Sequence, residues 1–134
     1  MTDIQKQKIY EVCKKNNFYF CVFFGSGADE KIKKYQRDID LAFYAGKRIP
    51  TKKSLEIYQE LMPHFDKEID VVLIQPLMDP LLAYEISVNG KCVCELKEDS
   101  FLEFQTRTWK DYLDSQRYRD YEKKYIERKV KNVS

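Results

Sequence analysis

The feature that most constrains this chain is the run Phe-Tyr-Phe-Cys-Val-Phe-Phe at residues 18–24, cut off by Gly25-Ser26-Gly27. The run is rich in β-formers and interrupted in its apolarity only by Tyr19. It is too short to span a bilayer and has no amphipathic alternation. It reads as a central strand covered on both faces. The glycines break it. Such a strand needs an apolar layer on each side, so the rest of the chain must supply helices for two faces.

The remaining pattern supplies them. Residues 4–16 read as a helix, with Ile4, Lys8, Ile9, Val12 and Cys13 at helical spacing and Asp3 or Thr2 as its cap. Residues 28–35 read as a helical turn or two. Residues 38–43 read as a second strand. Residues 51–61 read as an amphipathic helix with Leu55, Tyr58 and Leu61 on one side, Thr51 as N-cap, and Pro63 beyond its end. A third strand is expected at 69–74. Asp79-Pro80 should then open a helix to about residue 88, with Asp79 as cap and Pro80 at the first position. Asn89-Gly90 closes that helix or makes a tight turn. Residues 91–96 read as a short fourth strand, and 100–130 as a helix without Pro or Gly. The expected fold class is α/β or α+β: a small mixed sheet with flanking helices and a long C-terminal helical segment. One domain over 1–134 is expected, with 100–130 as its C-terminal helical part.

Composition narrows the function. Charged residues make up 34% of the 134, yet the net charge is only +2, which gives no general basic field for bulk nucleic-acid binding. The first fifteen residues are polar, without the apolar core of a signal peptide, so a cytoplasmic location is the default. Cys92 and Cys94 form a C-x-C pair with no second pair and no nearby His. Structural zinc sites need two such half-sites, so all four cysteines are expected as reduced, packed thiols. His64, the single histidine, follows Pro63 and reads as a capping or surface residue.

The candidate chemistry lies at strand ends. Side chains alternate along a strand, so Asp38 and Asp40 share one face, with Cα atoms about 6.5–7 Å apart, while Ile39, Leu41 and Phe43 face the core. Two such carboxylates can converge on Mg²⁺, which takes oxygen ligands from one or two carboxylates, phosphates and water. Asp70 opens the third strand. If that strand lies beside the second, Asp70 joins the site, and metals could stabilise both the attacking and the leaving oxygen of a nucleotidyl transfer. Gly25 lets a phosphate approach the backbone, the Ser26 hydroxyl adds a donor, and the amides that follow favour anions. Each part alone is a common turn or strand edge. Their order is what points to chemistry: strand, Gly-Ser, short helix, Asp-x-Asp strand, helix, Asp strand.

Gly25-Ser26-Gly27-Ala28 followed by Arg37-Asp38-Ile39-Asp40-Leu41-Ala42 resembles the signature of the polymerase-β-like nucleotidyltransferase superfamily, and within it the minimal nucleotidyltransferase (MNT) antitoxins. Asp79-Pro80-Leu81-Leu82, Tyr84-Glu85-Ile86, Asn89-Gly90-Lys91 and the aromatic, charged helix through Tyr112 and Tyr125 extend the likeness over most of the chain from Phe18 onward. The resemblance implies that Asp38 and Asp40 hold Mg²⁺, that Asp70 is a third ligand or general base, and that Gly25 and Ser26 hold the phosphates of ATP. It also implies a HEPN-type toxin partner, silenced by transfer of AMP to a tyrosine. The chain departs from the family pattern in three places. Eleven residues separate Ser26 from Asp38 where ten are usual, Asp29-Glu30 stand where a basic residue and a glycine are common, and Arg37 replaces a frequent Ser.

Two other functions stay open at this level. One is an antitoxin that neutralises its partner by binding alone. The other is a small-molecule nucleotidyltransferase of the aminoglycoside type, for which the chain is short of a substrate domain. In the C-terminal helix, Trp109, Tyr112, Tyr121 and Tyr125 interleave with Arg117, Arg119, Lys124 and Arg128. That stripe either packs on the sheet or forms a partner surface, with RNA binding a further possibility.

Overall fold

The computed structural model describes residues 1–25 and 38–133, and of Asp38 it describes the backbone. The expected helical turns at 28–35 lie outside the described residues. The chain order is α1 (Asp3–Lys15), β1 (Phe20–Phe24), β2 (Asp38–Tyr44), α2 (Lys52–Leu61) with a 3₁₀ turn (Met62–His64), β3 (Glu68–Leu73), α3 (Pro80–Asn89), β4 (Lys91–Glu95) and α4 (Ser100–Val133). The strands form one mixed sheet in the order β3-β2-β1-β4. β1 is antiparallel to both its neighbours, and β2 and β3 are parallel.

The apolar run is thus an interior strand, and its alternation feeds two cores. Cys21 enters a cluster with Ile9, Val12 and Cys13 of α1, Leu41 and Phe43 of β2, and Ile57 and Leu61 of α2. Phe20, Val22 and Phe24 enter a second cluster with Ala42, Ile74, Ala83, Ile86 and Phe104, beneath α3 and α4. Phe20 is the hub of that second layer. It is fully buried, with ring centroids 5.1 Å from Tyr44, 5.3 Å from Phe101 and 5.5 Å from Phe104.

Local signals account for most boundaries. Thr2 caps α1 in a reciprocal box, its hydroxyl accepting from the Gln5 amide while Gln5 Oε1 accepts from the Thr2 amide. Asp79 caps α3 by accepting from the Leu81 amide at 3.0 Å, with Pro80 at the first position. Gly90 ends α3, and a Cβ there would collide with the Ile86 carbonyl and the Val22 side chain. Three expectations are corrected. Thr51 already has helical backbone angles and its side chain caps nothing; its carbonyl instead accepts the Ser54 hydroxyl. Leu55 is exposed, and α2 buries Ile57 and Leu61 instead, with Tyr58 partly packed. Ile4 of α1 is likewise exposed.

α4 divides in two. Phe104 and Thr108 are buried, Gln105 donates to the Ser87 carbonyl at 2.9 Å, and Tyr112 stacks on Tyr84 with centroids 4.0 Å apart. From residue 116 to 130 every described side chain is exposed. The stripe therefore packs on the body only in its first part. Among the described residues no helix is long and apolar enough to cross a membrane.

The four cysteines are free and gather at the β4 side of the α1 layer. Cys21 pairs in register with Cys94, and the Cys13 thiol hydrogen-bonds with that of Cys94. Burial pushes the Cys13 and Cys21 thiols well above their ordinary range. Cys92, though its residue is exposed, is pushed to about 11, first by partial burial and then by the Glu95 carboxylate.

Two outcomes are expected. Phe20→Ala should destabilise the protein by about 3–5 kcal/mol, read by denaturant unfolding, since it removes the ring that joins β1 to α4. Alkylation should modify Cys92 alone among the native thiols. Its thiol stays neutral below its raised pKa, so its rate should rise about a hundredfold from pH 8 to pH 10, against about tenfold for a thiol near 9. Peptide mapping after timed iodoacetamide exposure measures both.

Candidate active site

The carboxylates owe their position to the core beneath them. Ile39, Leu41 and Phe43 all face the α1–α2 layer, as do Ile69 and Leu73 of β3. Alternation then places Asp40 and Ala42 of β2 and Asp70 and Val72 of β3 on the opposite face, the face that α3 and α4 cover farther along. Asp40 and Asp70 are direct partners in the parallel ladder. Adjacent strands lie about 4.8 Å apart, so these two carboxyl groups stand side by side. Asp40 is half-buried and Asp70, on the edge strand, is exposed.

Gly25 completes the corner. Asp40 pairs across the antiparallel ladder with Phe24, and Gly25 follows at once with φ +76°. A Cβ on Gly25 would run into the Asp40 carboxylate. The position therefore demands glycine twice, for its left-handed backbone and for the space beside the acid. The end of β1, the start of β2 and the start of β3 meet at one end of the sheet.

The structure brings together Gly25, Asp40 and Asp70, with the Asp38 backbone one alternation ahead and in register with Glu68. The Asp38 side chain, Ser26, and the departures at Asp29, Glu30 and Arg37 lie outside the described residues. Among the described residues no group of three or more His, Cys, Asp or Glu side chains is gathered to hold a metal ion. Glu68, a further carboxylate at the entrance to β3, accepts the Tyr58 hydroxyl at 2.7 Å, which ties it to α2. That bond raises the Tyr58 pKa above its ordinary value.

What remains is a corner suited to a hard cation and a phosphate. Like charges directly opposite on neighbouring strands destabilise a sheet, and a bound cation would reverse the sign of that interaction. The missing Cβ of Gly25 lets the Asp40 carboxylate lie directly against the backbone at the end of β1. The oxygen-only donor set fits magnesium and not a thiophilic metal.

A second feature was not visible in the sequence. A cavity of about 330 Å³ lies at the far end of β2 and β3, lined in part by Tyr44, Ile74, Phe104, Arg107, Thr108 and Asp111. Arg107 donates to the Tyr44 hydroxyl at 2.9 Å across it. It shares the sheet face of Asp40, four residues along the strand or about 13 Å. Its walls come from two strand ends and two helices, so no local motif announces it. His64 closes the 3₁₀ turn after α2, half-buried, and its backbone carbonyl accepts from the Gln5 side chain at 3.1 Å.

Solved structures share this architecture. A chain of a crystal structure of the toxin–antitoxin MntA–HepT is 20% identical, with 93% of this chain and 98% of that chain covered and a TM-score of 0.69. A chain of a toxin–antitoxin structure with AMP-PNP is 21% identical, with 90% and 97% covered and a TM-score of 0.72. A chain from a structure of a tri-AMPylated Shewanella oneidensis HEPN toxin in complex with MNT antitoxin is 22% identical, with 94% and 98% covered and a TM-score of 0.70. No curated protein matches the sequence. The family described as "Polymerase beta, Nucleotidyltransferase" matches residues 7–99, which run from within α1 past the end of β4 and hold every carboxylate of the corner. On that match the chain belongs to the polymerase beta nucleotidyltransferase family.

Proposed function

We propose that this chain is an ATP- and Mg²⁺-dependent protein adenylyltransferase, a cytoplasmic antitoxin that transfers AMP to a tyrosine of a HEPN-type toxin. In this reading 1–134 works as a single catalytic domain. The observation that carries it is the in-register pair Asp40 and Asp70 beside Gly25, on a chain of the nucleotidyltransferase family. The choice of donor and acceptor is supported by the structurally similar chains, which come from toxin–antitoxin structures, one with AMP-PNP and one with a tri-AMPylated HEPN toxin.

The reaction joins the acceptor tyrosine oxygen to the α-phosphorus of ATP and breaks the bond to the bridging oxygen, so pyrophosphate leaves. Asp38 and Asp40 would hold Mg²⁺, with Asp70 as third ligand or general base. Magnesium, when bound, neutralises the triphosphate and polarises the reacting phosphate. Gly25 leaves its backbone open for a phosphate, and Ser26 adds a hydroxyl donor. The half-buried Asp40 suits a ligand held in place. The exposed Asp70 suits a group that a protein substrate must reach, and as base it takes the phenolic proton as the new P–O bond forms.

Two outcomes test this. Asp40→Asn and Asp70→Asn should each lower AMP transfer by about 10²–10⁴-fold, with melting temperature held because the fold does not rest on either acid. The readout is intact mass of the co-expressed toxin, looking for added AMP. A variant that still silences the toxin without adding AMP would establish a binding-only antitoxin instead. In the second test, Ser26→Ala should weaken ATP binding by about 1–2 kcal/mol. Gly25→Val should abolish it, because the side chain both strains the backbone and displaces the Asp40 carboxylate. Titration calorimetry with ATP and Mg²⁺ checks both, and unchanged affinity for Gly25→Val would reduce the turn to a structural role.

A further inference from the structure

α4 continues well past the last residue that touches the sheet. At 1.5 Å per residue the stretch 116–130 runs about 22 Å with no described side chain packed on the body. Apolar and aromatic groups stay uncovered along it, with Tyr121 71% and Tyr125 53% exposed. Isolated helices of this length are marginal in water, so an uncovered aromatic helix suits a contact that covers it.

The charges on this stretch are sorted by side. With 3.6 residues per turn, Arg117, Lys124, Tyr125, Arg128 and Lys129 all fall within about 90° of Tyr121 around the helix. No acid between 117 and 130 falls in that half. Asp120, Glu122 and Glu127 lie on the other, together with Arg119 and Lys123. Lys129 sits over the Tyr125 ring at 5.5 Å, and Arg117 has a 3.9 Å ion pair with Asp114, one turn back on the same side, both well exposed. Such an exposed pair contributes little.

The same side runs back to the cavity. Arg107 and Tyr125 are eighteen residues apart, about five turns, so they lie on one line along the helix. The cavity at Arg107 and Asp111 and the Tyr121–Arg128 half-turns therefore lie on one strip, a pocket followed, past the acids Asp111 and Asp114, by a cationic, aromatic rail. Pocket anchors flanked by Tyr and Arg are the anatomy of a protein interface. The sign of the rail selects its partner. A second copy would bring cations to cations, whereas an acidic protein face is attracted. The shared fold includes this helix, because a match covering 94% of this chain leaves too few residues over to omit it.

We infer that the strip from the Arg107 pocket along Arg117, Tyr121, Tyr125 and Arg128 is the surface that seats an acidic face of the toxin. This rests on the proposed antitoxin role for the identity of the partner. Binding is measured by calorimetry with the cognate HEPN-type toxin at 0.05, 0.15 and 0.5 M salt, and transfer separately by intact mass. Arg117→Glu with Arg128→Glu, and Tyr121→Ala with Tyr125→Ala, should each weaken binding about tenfold or more at 0.15 M salt, with unchanged melting temperature and ATP affinity. Arg119→Glu with Lys123→Glu makes the same charge change on the opposite side and should leave binding within twofold. Wild-type binding should weaken as salt rises. Equal losses from both charge reversals, or toxin affinity unchanged in the rail variants, would overturn the assignment. So would loss of self-association or of binding to a labelled single-stranded RNA with toxin affinity intact. A toxin that binds through the rail yet gains no AMP would leave the surface standing and refute the transfer reaction.

Discussion

The pairing of β2 with β3 is the constraint on which the corner depends. Side chains alternate with a period of two, so a slip of one residue would send Asp70 to the α1–α2 layer and Ile69 to the face of Asp40. What prevents the slip is apolar. Ile39 with Ile69, Leu41 with Val71 and Phe43 with Leu73 are partners that all face α1 and α2. Repulsion between the two acids opposes this pairing. They stand together because burial of their neighbours, worth about 25 cal/mol per Å² of apolar area, outweighs the repulsion of two partly solvated charges.

β1 performs the complementary task. It is paired on both edges and covered on both faces, so its C-terminal end is fixed against β2, and Gly25 leaves the sheet at a set place beside Asp40. The same strand begins with Phe20, whose ring touches Phe101 and Phe104 of α4. One strand therefore positions the candidate phosphate turn at one end and roots the C-terminal helix at the other. A load on α4 is transmitted to the sheet through aromatic contacts that tolerate little rearrangement.

Much of this was legible because it is local. The apolar run, the Asp79-Pro80 start, the Asn89-Gly90 stop and the alternation around Asp38-Ile39-Asp40 each act over a few residues, and each resolves as its physics requires. Strand adjacency is different. That Asp40 faces Asp70 depends on β3 lying beside β2 rather than at the other edge, a nonlocal fact that alternation cannot supply. The misplaced Leu55 has a related cause. Leu55, Tyr58 and Leu61 are a valid helical stripe, but Ile57 with Leu61 is another, and only the position of α1 and β3 chooses between them. In α4 the aromatic spacing continues unbroken while the sheet beneath it ends, so the change from core to surface near Tyr112 leaves no mark in the periodicity. The cavity at Arg107 is assembled from four elements and has no sequence signature at all.

The net charge of +2 conceals a spatial division that follows from this geometry. Acids gather at the strand starts beside Gly25, and cations line one side of the free end of α4. Tyr125 lies about 27 Å along the helix from Arg107, which is itself at the far end of the sheet from Asp40. The screening length at physiological salt is about 8 Å, so the two fields do not act on each other through solvent. The corner and the free end of α4 therefore present different electrostatics at different places. In the proposed function a triphosphate at the corner gains nothing from the α4 cations, and a protein drawn to α4 would not be repelled by the corner until it docks. On the proposed function, changes in salt or substitutions along α4 would act on the encounter with the partner and leave the corner as it was. The common scaffold that joins the two is β1, paired on both edges with the corner at its C-terminal end and the root of α4 at its start.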